Sequence, residues 1–363
     1  MKTKKIAILL LAIVLVFVSM PVSVARSLEI SRDSLSIYEL QDTILTEVVL
    51  DDSELQTTRE IRNIDHFVSA VAREYPEKTP YELGRAILLA LGDTEEQIDS
   101  MPREAVLEAL EYTSVIKTDS FFSVAQDGTQ IELSEQAFYA EVALAEVMDV
   151  LNLRTPAVMS ASTSPVRPGR YDRFQTHGHL VLSTYIFRRT STVSHPNRFT
   201  VRAQAHWVRL PFWRGEDMLA IAHTSTANID AGFASNASAT YSRRVGASFV
   251  DTASRDNRNG TFISMQPSGA SGMAVRVPLR VGTWPLQTAD FVENTRISLW
   301  HGITVPNNRE TSILVSYGHR TLHIIGGMSI SITPSGPGIS FSPTISTETF
   351  SGWTVPLLWN AGR

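Results

Sequence analysis

The spacing of apolar positions changes part-way along the chain. In the first part they recur every three to four residues. Ile61, Ile64, Phe67, Val68, Val71 and Tyr75 form one stripe, the mark of an amphipathic helix. That helix stops before Pro76. Thr79-Pro80-Tyr81-Glu82 is a capping box with proline at the first helical position, which predicts a helix over 80–91 closed by Gly92. Another helix is expected from Pro102 to about Tyr112. Ser134 is placed to cap a last one through Leu153, with Phe138, Val142, Ala145, Met148 and Leu151 on one side. Between these two, residues 115–125 and 129–133 flank Asp127-Gly128, a hairpin signal.

From residue 199 the period drops to two. Phe199, Val201, Ala203, Ala205 and Trp207 alternate with Thr200, Arg202, Gln204 and His206, giving a strand with one apolar and one polar face. Residues 218–223, 239–243, 261–265, 273–279, 296–303 and 313–317 are further strands, and Asn259-Gly260 is a tight turn. Residues 322–333 and 338–345 flank the turn Pro334-Ser335-Gly336-Pro337. About ten short strands with this punctuation predict an antiparallel sandwich or barrel. The expected fold is therefore multi-domain: a small mainly α N-terminal domain followed by an all-β antiparallel sandwich or barrel.

The first 25 residues read as a signal peptide. Lys2, Lys4 and Lys5 precede an unbroken apolar run from Ile6 to Val18, Met20-Pro21 breaks it, and Ser23-Val24-Ala25 offers a cleavage site after Ala25. The run is short for a membrane span. The mature protein is expected to be secreted or held at the cell envelope. The 363 residues include no cysteine, which excludes disulfides, thiolate nucleophiles and Cys-ligated metals. The domains expected are an acidic helical one with a hairpin over 26–154, a linker over 155–170 rich in Ser, Thr and Pro, and an Arg-rich β domain over 171–363.

Charge sharpens that division. The net charge of -5 is a cancellation: residues 26–156 hold 27 acidic and 10 basic side chains, and residues 157–363 hold 10 and 19. All basic residues after Lys117 are arginine, and all six tryptophans lie in the second half. An acidic half of -17 is expected to dock on a basic half of +9 and mask it. The order of leader, acidic helical region, Asp-Gly hairpin and Arg/Ser/Thr-rich β half ending in Gly326-Gly327-Met328-Ser329-Ile330-Ser331-Ile332 resembles exported proteins of Gram-positive bacteria that carry no assigned activity. The resemblance implies location and organisation, and it transfers no functional residues.

The candidate chemistry lies in the β half. His177 and His179 share a strand face, as do His319 and His323, so the four imidazoles are candidate ligands for zinc. Glu216 and Asp217 are candidate bases beside such an ion. A metal-dependent or other hydrolase is thus the second functional reading. No Gly-x-Ser-x-Gly is present; Gly269-Ala270-Ser271-Gly272 falls one residue short. The arginines favour a different first reading. Arg202, Arg209, Arg243 and Arg244, among many others, are candidate anion-binding residues, because guanidinium forms bidentate pairs with carboxylate, sulfate or phosphate. The first reading is a non-catalytic binding or adhesion protein that engages an anionic polymer, glycan or lipid. No nucleic-acid motif is present, which ranks nucleic acid last among such partners. A third reading, a β-pore-forming protein, comes from the small polar residues of 224–242, expected as an exposed hairpin or long loop.

Overall fold

Strand β3 (Tyr112–Ala125) closes the helical part of the chain and pairs antiparallel with β5 (His177–Arg189), from Tyr112 opposite Arg189 to Ala125 opposite His177. That ladder puts both halves of the sequence into one sheet. The computed structural model describes residues 44–48, 55–99, 101, 103–125, 130–154, 177–190, 197–209, 216–230, 232–233, 235–245, 248–256, 264–267, 272–278, 291–306, 310–320, 329–333, 338–342 and 347–358. The signal peptide and the linker at 155–170 lie outside these residues. The chain divides into Met1–Glu39 and Leu40–Arg363, and only the second unit contains described residues.

The larger sheet has ten strands. Its main order is β1 (Ile44–Val48), β2 (Gln56–Ile61), β3, β5, β6 (Arg198–Arg209), β13 (Phe291–Thr304), β9 (Asn236–Val245) and β10 (Ser248–Asp256). Strand β4 (Gln130–Leu133) adds to β3 through the expected hairpin, and β8 (Asn228–Ile229) adds to β13. A five-stranded sheet runs β11 (Ser264–Pro267), β12 (Gly272–Pro278), β7 (Glu216–His223), β14 (Glu310–Arg320) and β17 (Thr347–Leu358). β15 (Ser329–Thr333) and β16 (Gly338–Ser342) form a two-stranded sheet. Every pairing is antiparallel among the described strands.

Period-two patterning makes the two large sheets face each other. Leu180, Leu182 and Ile186 of β5, the apolar row of β6 from Phe199 to Trp207, and Ile297, Leu299 and Ile303 of β13 share one core with Leu219 and Ile221 of β7, Val275 and Val277 of β12, and Ile313, Val315 and Tyr317 of β14. Trp207 is fully buried there and donates its indole N–H to the Tyr317 hydroxyl at 2.6 Å. The stretch 224–242, expected as an exposed hairpin or loop, is instead partly a strand of the larger sheet. β9 lies between β13 and β10, and Ala237 and Ala239 pack in the inter-sheet core. Small side chains are what that narrow space accepts.

The helices are α1 (Ile64–Glu74), α2 (Pro80–Ala90), α3 (Glu95–Asp99), α4 (Arg103–Glu108), a 3-10 turn (Ala109–Glu111) and α5 (Glu135–Arg154). Thr79 and Glu82 form the expected capping box, and Gly92 takes φ 80 past the end of α2. A separate small helical domain is nevertheless not what this region makes. The helices share the sequence with strands of the ten-stranded sheet and pack on its outer face. Phe138 and Val142 of α5 meet Phe121 and Val181 of β3 and β5, while Leu88, Ile98, Met101 and Val106 form a small core within the α2–α4 layer. At Gly84 of α2 an added Cβ would lie 2.3 Å from the Val106 carbonyl oxygen. Gly84→Ala is therefore expected to cost about 1–3 kcal/mol by forcing α2 off the α4 region, read as a lower Tm in calorimetry.

Candidate functional site

The polar face of β6 is where the sequence pattern and the structure part company. Alternation predicts that Thr200, Arg202, Gln204 and His206 face water. All four are buried, Arg202 and Gln204 each at 2 % exposure, because the α2–α4 layer covers them. Cross-strand register aligns Arg59 with Lys117, Lys117 with Tyr185, Tyr185 with Arg202, and Arg202 with Trp300. Five strands thus carry one row of three cations and two aromatic rings. The Arg202 guanidinium lies 4.8 Å from the Tyr185 ring and 5.1 Å from the Trp300 ring, and the Lys117 ammonium 5.2 Å from Tyr185. Such contacts strengthen when desolvated.

The helical layer lowers its own polar groups onto this row. Asp93, just past the end of α2, accepts from Lys117 Nζ at 3.0 Å and from the Tyr185 hydroxyl at 2.5 Å through the same Oδ1. Lys117 also meets Asp119 at 3.0 Å, and Arg59 bridges Asp119 to Glu135 at the start of α5. Arg202 donates to Gln204 and contacts the Met101 sulfur. Arg296 donates to the Gln97 carbonyl and to His206 Nε2, and the Gln97 amide meets His206 Nδ1. At these contacts Asp93, Gln97 and Met101 of the first half meet Tyr185, Arg202, His206 and Arg296 of the second. Burial alone would strip the Lys117 proton, but Asp119 and Asp93 outweigh it and raise its pKa. Burial raises Asp119 against the opposing pull of Lys117 and Arg59. His206 is held well below 6.5 by burial, then by Arg296 and Lys117.

Of the candidate ligands of a zinc site, the two with described side chains, His179 and His319, lie apart. His179 is buried on the outer face beside Phe138, with Glu141 Oε2 3.4 Å from its Nε2. His319 faces the opposite way, into the inter-sheet core against Trp207, and its Nδ1 meets Asp217 Oδ1 at 2.8 Å. The His177 side chain and His323 lie outside what is described. No group of three or more His, Asp or Glu able to hold a metal occurs among the described residues. Of the arginine candidates, Arg202 and Arg209 differ in setting. Arg202 is sealed under the helices, Arg209 is half-buried opposite His179 at a register shift, and Arg243 and Arg244 sit on β9 with side chains outside the description.

Two features were missed. Arg198 and Arg189 both grip the buried Asp230, at 2.8 and 3.2 Å, and Arg189 lies 5.2 Å from the Phe233 ring. Arg188 adjoins them at the same end of the β5–β6 pair, opposite Phe199. In the core, His223 of β7 and His301 of β13 face each other with ring centroids 5.7 Å apart and planes 14° from parallel. Burial, then His223, lowers the His301 pKa to about 4, and burial lowers that of His223. Strand parity carried this signal, since 219, 221 and 223 point inward, as do 297, 299, 301 and 303; the meeting of two strands from different sheets did not show.

No protein-family model matches the chain, and no curated protein does. Solved structures show low-level likeness. The C-terminal domain of the Streptococcus pyogenes antigen I/II-family protein AspA aligns at 8% identity and TM-score 0.25 over 39% of this chain and 50% of that one. This chain thus spans about half the length of that domain. ACE19, the collagen binding subdomain of an Enterococcus faecalis surface protein, aligns at 7% identity and TM-score 0.21 over 42% and 86%. The membrane inserted form of Clostridium perfringens NetB toxin aligns at 7% identity and TM-score 0.23 over 50% and 91%.

Proposed function

We propose that this is an exported, non-catalytic binding or adhesion protein of a Gram-positive-type cell envelope, whose β-sandwich engages an anionic glycan, polymer or lipid surface. The observation that carries the reading is the arginine cluster at one end of the β5–β6 pair. Arg189 and Arg198 share a single carboxylate, Asp230, and Arg188 stands beside them, all three incompletely buried. Two guanidinium groups, Arg189 and Arg198, converge on one carboxylate, and guanidinium is the group that grips sulfate, phosphate and carboxylate bidentately. The buried charges support a scaffold role for the rest. Lys117 and His206 tie the sheet to the helical layer through Asp93 and Gln97, and the Asp217–His319 pair joins β7 to β14. Among the described residues no helix is long and apolar enough to cross a membrane.

Retention of the mature chain on an immobilised sulfated polysaccharide tests this. Binding is expected to weaken as salt rises, and Arg188→Glu with Arg189→Glu should lower affinity about 10-fold at low ionic strength. Binding unaffected by both salt and the charge reversals would overturn the reading.

A further inference from the structure

We propose that His223 and His301 are the two nitrogen ligands of a site for a monovalent d10 metal ion, Cu(I), inside the sandwich. Both imidazoles are fully buried, one on each sheet. Each has its Nδ1 engaged. His223 Nδ1 lies 3.1 Å from the Thr224 carbonyl oxygen, and His301 Nδ1 lies 3.1 Å from Ser235 Oγ. A carbonyl only accepts, so the His223 proton sits on Nδ1 and its Nε2 carries the lone pair. Neither Nε2 has a hydrogen-bond partner. A buried polar atom left this way is destabilising, yet the pair persists on two facing strands.

The arrangement matches how proteins prepare histidine for metal. A ligating imidazole donates its other N–H to a backbone carbonyl, which fixes the tautomer and raises the basicity of the free nitrogen. Coordination number decides the ion. Zinc asks for three or four ligands, and among the described residues no third His, Asp or Glu joins the pair. Cu(I) is satisfied by two imidazole nitrogens in a line and favours a water-poor setting. Access is short, because His223 is followed at once by the half-exposed Thr224 and the exposed Ser225. The site is distinct from His177, His179, His319 and His323, and it is independent of the arginine cluster.

Ag(I), redox-inert and equally content with two ligands, is the probe. Native mass spectrometry of the mature chain should show one tightly held silver ion. His223→Gln with His301→Gln should weaken it by about 100-fold, while His66→Gln, an exposed control on α1, should leave it unchanged. Nitrogen NMR of the unsubstituted chain gives a second readout that needs no variant: the Nε2 resonances of His223 and His301 should move on adding Ag(I), with the Nδ1–H of His223 retained. No tightly held silver, equal silver binding in the double variant, shifts confined to other histidines, or tighter binding of Zn(II) than of Ag(I) would each overturn the site.

Discussion

Lys117→Met is expected to destabilise the fold by about 3–5 kcal/mol, because it leaves two buried carboxylates without their shared cation. The Lys117 ammonium lies 3.0 Å from both Asp93 and Asp119, and all three residues are under 5 % exposed. Asp119 keeps Arg59, but Asp93 keeps only the Tyr185 hydroxyl. The methionine fills similar volume, so the loss reports charge and not a cavity. Asp93→Asn combined with Lys117→Met should recover about half of it, since removing both partners spares the uncompensated charge. Urea unfolding of the single and double variants measures both quantities. The helical layer should report the damage first, because Asp93 is its contact to Lys117 and Tyr185; hydrogen exchange in α2 should rise more than in β6. A single-variant loss below about 1 kcal/mol would mean that water already screens the network.

That network also shows how far sequence reasoning reached. Strands β6, β7, β13 and β14 were readable because period-two alternation depends only on which residues face the inter-sheet core. The α2 capping box and the β3–β4 hairpin were readable because they are local. The polar face of β6 reads as solvated, since Arg, Gln and His on alternate positions usually are. Only the fold brings Gln97 and Met101 down onto it, more than 80 residues away in sequence. The same reason hid the β3–β5 ladder: a helical pattern on one side of a Ser/Thr/Pro-rich stretch and a strand pattern on the other look like two domains. The two halves meet at a buried row of Lys, Tyr, Arg and Trp, which no count of charge along the chain reveals. Two of the candidate zinc ligands, His179 and His319, lie apart for a geometric reason, as they belong to different sheets and sit on opposite sides of the larger one.

His206 makes the second large effect, a loss of stability in mild acid. Its Nδ1 faces the Gln97 amide nitrogen at 3.2 Å and its Nε2 faces Arg296 Nη2 at 3.3 Å. Gln97 cannot turn its oxygen toward the ring, because that oxygen caps α3 by accepting from the Thr94 N–H at 2.7 Å. A neutral imidazole accepts from one of these donors; a protonated one accepts from neither. Burial and the charges of Arg296 and Lys117 add to the penalty, so the folded-state pKa lies well below 6.5. The sign follows from proton counting. Above pH 6.5 both folded and unfolded chains carry the neutral ring, and stability is unaffected. Below it the unfolded chain takes up a proton that the folded chain refuses, so stability falls as pH falls until the folded pKa is reached. One such group contributes a slope of about 1.4 kcal/mol per pH unit within that window. His206→Gln supplies an acceptor that does not titrate. Its stability curve, from urea unfolding across this range, should be flatter than that of the unsubstituted chain by one proton, so the unsubstituted chain loses stability relative to the variant as pH falls. Parallel curves would show that His206 is already protonated beneath the helical layer, and that the donors around it have given way.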